Sequence, residues 1–206
     1  MTHRAAFLAG IVSVIVACGA SSSSSGASGS ATSSGSVGGH SFAPRDAVAL
    51  RLTETTHPSS NTTVTASRLS IEIADVAGVC DDYRRQAAPR GVSVLTLTLY
   101  PPSNLAPAAG TYVVNGNGSN AMVAAADFSA TDMSCADVVA AAATSGTITI
   151  SAANDSSISG SFDLGDFMNG AGATGTSDHL AGTFAAPACS VSISVGVDGG
   201  AAVCGN

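Results

Sequence analysis

The sequence predicts an all-β domain, an antiparallel sandwich or barrel with one or two short helices, behind a disordered N-terminal tether. Three observations predict it. Short alternating or β-branched apolar runs recur from His40 onward, and Gly, Pro, Asn and Ser separate them. Two of the runs alternate with a period of two: Leu69, Ile71 and Ile73 with Ser70 and Glu72, and Leu95, Leu97 and Leu99 with Thr96 and Thr98. A strand with one buried face and one wet face has that pattern.

In chain order the expected strands are Ala47–Leu52, Thr62–Ile73, Val92–Tyr100, Tyr112–Val114, Ala121–Phe128, Thr147–Ser151, Ile158–Leu164, Leu180–Phe184 and Val191–Val197. The segment from Gly146 to Leu164 reads as a hairpin turning near Asn154 and Asp155, because these side chains bond their own backbone in turns. Glycine, a hydroxyl residue and a large apolar residue stand together at Gly110-Thr-Tyr, Gly146-Thr-Ile, Gly160-Ser-Phe and Gly182-Thr-Phe. Their unequal spacing is not that of a repeat. They read as turn chemistry, with glycine supplying a positive φ or a bulge where a strand begins.

Two helices are expected. Asp81 to Ala88 precedes Pro89, and Cys135 to Ala143 follows a Ser134-x-x-Asp137 start and stops before Gly146. Asp166 to Asp178 is expected as a Gly-rich loop between strands.

Composition removes several functions. Only 10% of residues are charged and 45% are hydrophobic, so the chain can build a core. There are seven basic residues, all Arg, against fourteen acids. Nucleic-acid binding needs a basic stripe that displaces counterions, and docking on anionic lipid needs a basic patch. Neither is present.

The N-terminus supplies an address. Met1-Thr2-His3-Arg4 carries one firm positive charge, and Ala5 to Ala17 is an apolar run broken only by Ser13. The run suits a signal peptide and is shorter than the ~20 residues that span a bilayer. It ends Ile15-Val16-Ala17-Cys18, which resembles the lipobox of bacterial lipoproteins. The resemblance implies cleavage before Cys18, a diacylglycerol on its thiol and acylation of its new amino group. Two or more acyl chains anchor a protein stably where one does so marginally. Gly19, rather than Asp, is compatible with the outer membrane, periplasmic or surface-facing. Residues 18–39 then read as the acylated cysteine and a Ser/Gly-rich linker that cannot bury enough surface to fold, and 40–206 as a single β-rich domain. Over the C-terminal third, the Gly160 and Gly182 motifs with Cys189 resemble uncharacterised myxobacterial lipoproteins, a likeness that implies no activity.

Once Cys18 is the anchor, Cys80, Cys135, Cys189 and Cys204 remain, an even number in an exported chain, and two disulfides are expected. The favoured pairing is Cys80–Cys135, joining two loop–helix junctions, with Cys189–Cys204 pinning the last strand.

No catalytic constellation emerges. Gly170-Ala-Gly172-Ala-Thr-Gly175 matches a dinucleotide fingerprint but lacks the strand–turn–helix context. No Gly-x-Ser-x-Gly elbow exists. Asp178 and His179 are neighbours that point to opposite faces of a strand, while His40 and His57 lie in polar surroundings. Asp163, Asp166 and Asp178 flank the Gly-rich loop without a calcium-loop pattern. No His/Cys spacing fits zinc. Asp81-Asp82-Tyr83-Arg84-Arg85 reads as a helix laced with ion pairs.

The expectation is therefore a lipid-anchored envelope protein with a structural or protein-interaction role, no catalysis, no metal and no cofactor. Its partners would be membrane lipid through Cys18 and an envelope protein. The alternative is a carbohydrate- or peptide-binding sandwich.

Overall fold

A computed structural model describes residues 28–56, 64–85, 90–101, 106–116, 122–169 and 178–191. Ten strands and one helix make up the described chain. They are β1 (Ser30–Val37), β2 (His40–Ser41), β3 (Asp46–Thr56), β4 (Val64–Ala74), α1 (Val79–Arg85), β5 (Ser93–Tyr100), β6 (Gly110–Val114), β7 (Val123–Thr131), β8 (Asp137–Ala153), β9 (Ser157–Asn169) and β10 (His179–Cys189).

The all-β prediction holds, and the pairings close on themselves. β3, β4, β5 and β7 form one antiparallel run, and β8, β9 and β10 form another. β7 joins β8 on one side. On the other, β10 meets β3 in a short parallel pairing, Ala188↔Ala49 and Cys189↔Leu50. Two short strands complete the two seams. β1 lies along β10 from Ser30↔Ala185 to Ser36↔His179, on the stretch that precedes β3. β6 lies along β8 at Gly110↔Ile150 to Val113↔Thr147, beyond the stretch that β7 occupies. β8 thus changes partners along its length, and this lets one continuous sheet fold over a core.

The core is what the period of two implies. Leu69, Ile71, Ile73, Leu95, Leu97 and Leu99 are buried inside, with Ala124, Ala126 and Phe128 of β7 alongside them. Phe42 joins this core, its ring edge-on to Phe128 at 5.5 Å. Tyr112 is fully buried and spends its hydroxyl on Ala108, donating to the carbonyl at 3.2 Å and accepting from the amide at 3.1 Å. Among the described residues every buried side-chain polar atom has a partner.

Several expectations are corrected. The predicted helix over Cys135–Ala143 is the first half of β8. Asp132 takes the acceptor role that Ser134 was expected to play. Its Oδ1 receives the Ser134 amide at 2.7 Å, the Ser134 hydroxyl at 2.6 Å and the Ala136 amide at 3.0 Å. Cys135 sits at φ 61°, so the chain reverses and enters a strand. Pairing with β7 and β9 overrides the helix preference of the alanines.

The linker expected to reach residue 39 ends earlier, because β1 lies inside it. A Ser/Gly-rich segment is a poor strand alone, but here β10 supplies the whole ladder. Gly35 is required at that point: at φ 109°, a Cβ would stand 2.0 Å from the His179 carbonyl. The domain therefore begins ahead of residue 40.

Only Gly110 of the four glycine motifs starts a strand; Gly146, Gly160 and Gly182 lie within β8, β9 and β10. The antiparallel register sets Gly160 opposite Phe184 and Gly182 opposite Phe162. Each ring covers the facing glycine, and a Cβ would meet Phe184 Cζ at 3.0 Å or Phe162 Cζ at 2.7 Å.

The hairpin turn is as predicted: Asn154 Oδ1 accepts from the Ser156 and Ser157 amides, each at 2.9 Å. The first expected helix starts two residues early, at Val79; the end expected at Ala88 lies outside the described residues. β9 runs on to Asn169, into the expected loop. Val191 is not in a strand, and the rest of the expected Val191–Val197 strand lies outside the described residues.

Candidate functional site

The position that stands out is on the outer face of β3, β4 and β5, under α1. β3 has no wet face there. Ala47 and Ala49 point into the main core, while Val48 and Leu50 join a second apolar cluster with Ala74, Val79, Cys80, Val92 and Cys189. Asp46 fixes the helix over this face. It is only 1% exposed, and its Oδ2 caps α1 by accepting the Gly78 and Val79 amides at 2.9 and 3.1 Å. Its Oδ1 accepts the Gly29 amide at 2.9 Å, which ties the start of β1 to the same carboxylate.

Glu72 stands beside this cluster and is only 5% exposed. Its Oε1 accepts the Ser70 hydroxyl at 2.8 Å and its Oε2 the Thr96 hydroxyl at 2.8 Å. Tyr83 of α1 brings a third hydroxyl to it. The β4–β5–β7 register sets Glu72, Thr96 and Asp127 in one cross-strand row. Burial pushes the Glu72 carboxyl above its ordinary range, and the Asp127 charge adds to this; the three hydroxyls oppose it. Tyr83 is pushed well above the usual phenol value by burial and by the adjacent Glu72. Asp127 is raised by desolvation.

This cluster was not singled out from the sequence, where Glu72 reads as a residue on a wet strand face. The signal for it is the unbroken Ala47-Val48-Ala49-Leu50, which marks strand β3 as buried on both faces and so implies a cover.

The sequence-nominated residues are spread apart. Asp163 bonds His179, Oδ1 to Nε2 at 2.7 Å, across β9 and β10 with both side chains exposed. Asp178 accepts the Gly38 amide at 2.9 Å, and Asp166 accepts the Ser145 hydroxyl at 2.9 Å. Each of the three acids has a partner of its own, and among the described residues no group of three His, Cys, Asp or Glu is placed to hold a metal ion. His40 is exposed on β2. The Asp81–Arg84 and Asp82–Arg85 pairs form along α1 as expected, at 3.4 and 2.9 Å. Gly170 to Gly175 and His57 lie outside the described residues.

The favoured disulfide pairing is corrected. Cys80 bonds Cys189, across 109 residues, and not Cys135. α1 packs on β3, and Cys80 and Cys189 share the second apolar cluster, which brings the β10 thiol within reach. Cys135 is itself disulfide-bonded, and the expected Cys189–Cys204 bond is excluded with the first.

The opposite outer face is a plain of small hydroxyls. Thr32, Thr183, Ser161, Thr149 and Thr111 stand in one row across β1, β10, β9, β8 and β6. The Thr32 and Thr183 hydroxyls lie 2.9 Å apart, those of Thr111 and Thr149 3.3 Å.

No family model, no curated protein and no solved structure matches this chain.

Proposed function

We propose that the protein is a lipid-anchored cell-envelope protein, cut before Cys18 and held in the outer membrane by acyl chains on that residue. Its role is structural or protein-binding, with no catalysis of its own. The observation that carries this reading is the sequence Ile15-Val16-Ala17-Cys18 behind a short apolar run. A disulfide between Cys80 and Cys189 lends weaker support, since such bonds persist in oxidising compartments. The second bridge would be Cys135–Cys204, because Cys18 is committed to lipid.

A protein partner is favoured over a sugar. Sugar sites stack on exposed aromatics, and Tyr100 is the one aromatic among the exposed large hydrophobic residues described. The row of hydroxyls instead offers donors and acceptors on the outer sheet surface. Metabolic labelling with palmitate tests the anchor: wild type takes up label and Cys18→Ser does not. Equal label in both sinks the proposal.

A further inference from the structure

We propose that α1 is a proton-dependent latch on the outer face of the sheet, docked while Glu72 carries a proton and loosened when Glu72 ionises. Three attachments hold the helix: the Asp46 cap, the Cys80–Cys189 disulfide, and Tyr83, which packs on the second apolar cluster and reaches Glu72. A helix of seven residues has no stability of its own, so these attachments decide its position.

Among the described residues, the surroundings of Glu72 supply hydroxyls but no counter-charge. β4 contributes Ser70 and β5 contributes Thr96. β3 sets Val48 directly opposite. β7 places Asp127, a like charge, beyond Thr96. From α1 comes Tyr83, while Asp81, Asp82, Arg84 and Arg85 engage one another along the helix in i,i+3 pairs. None of the described ion pairs includes Glu72. An ionised carboxylate in this position is shielded from solvent and meets no cation among the described residues, and lifting α1 returns it to solvent. The docked state therefore holds the proton more tightly than the lifted state, and raising the pH favours lifting. The disulfide keeps the helix attached, so the result is local opening that uncovers Val48, Leu50 and Val92, apolar positions now under the helix.

Amide hydrogen exchange on the full-length chain, corrected for the intrinsic pH dependence of exchange, tests the latch. Protection of the α1 amides falls by about tenfold or more between about pH 4 and pH 8, while that of β9 stays level. Glu72→Gln keeps the acid-level protection throughout. The midpoint also moves in opposite directions in two further variants: downward in Asp127→Asn, which removes a like charge, and upward in Tyr83→Phe, which removes a hydroxyl that favours the ionised form. Level α1 protection in wild type, or a fall that persists in Glu72→Gln, overturns the proposal. Should Glu72→Gln not fold, the two midpoints decide: shifts in the same direction, or none, overturn it.

Discussion

Asp46 and Glu72 are both buried acids, yet their surroundings give them opposite roles. Asp46 is met by backbone amides from Gly29, Gly78 and Val79, so its charge is satisfied and it ties β1, β3 and α1 together. Asp46→Ala leaves those amides unpaired, and a loss of about 3 kcal/mol is expected in denaturant unfolding. Glu72 is met by hydroxyls alone, and its raised carboxyl value makes its contribution to stability depend on pH. Its folded value lies above its unfolded value. The stabilisation is thus complete below the ordinary glutamate range near 4.5 and is lost as pH rises through the raised value. Asp127 acts in the same direction. Every tenfold tightening of the proton in the fold is worth about 1.4 kcal/mol. Glu72→Gln is expected to raise the melting temperature at neutral pH and leave it near wild type at acid pH.

At the scale of elements, the glycine–phenylalanine pairs of β9 and β10 set how closely these strands approach their neighbours. A Cβ at Gly182 would lie 1.9 Å from the Thr32 carbonyl, and one at Gly160 2.2 Å from the Thr149 carbonyl. Gly182→Ala must push β1 off β10 or distort the ladder. A loss of at least about 2 kcal/mol is expected, read as a lower melting temperature. The strands themselves were legible in the sequence wherever side chains alternate, as at Leu69 to Ile73 and Leu95 to Leu99. β1 was not legible, because its Ser and Gly carry no pattern and its stability comes from β10, far along the chain. The first half of β8 was not legible for a related reason. Its composition favours a helix locally — Val139 is followed by four alanines — but cross-strand pairing decides the outcome. Of the glycine motifs, Gly110 and Gly146 carry the positive φ expected of them, at 146° and 125°, whereas Gly160 and Gly182 make room for facing rings that only the register reveals.

For the molecule as a whole, the sheet closes through a parallel pairing of two residue pairs between β10 and β3, and the Cys80–Cys189 bond lies at that seam. A bond that closes a loop of about 100 residues contributes about 4.7 kcal/mol in the chain-entropy model. Cys189→Ser is expected to lose a comparable amount in reversible denaturation. The pairing was not legible from sequence, because four cysteines allow three connectivities and only the placement of Cys80 and Cys189 in one apolar cluster selects among them. The candidate site was hidden for the same reason: Glu72 is buried by a helix, not by its own strand pattern. What the sequence carries most plainly is the address proposed at Cys18, and under that proposal the folded module is what the anchor holds at the membrane. The most direct test is the intact mass of the mature chain isolated from membranes. The account predicts a chain that begins at Cys18, carries the mass of its acyl groups and has its other four cysteines in disulfides. A chain that retains residues 1–17, or one with an unmodified Cys18, would contradict it.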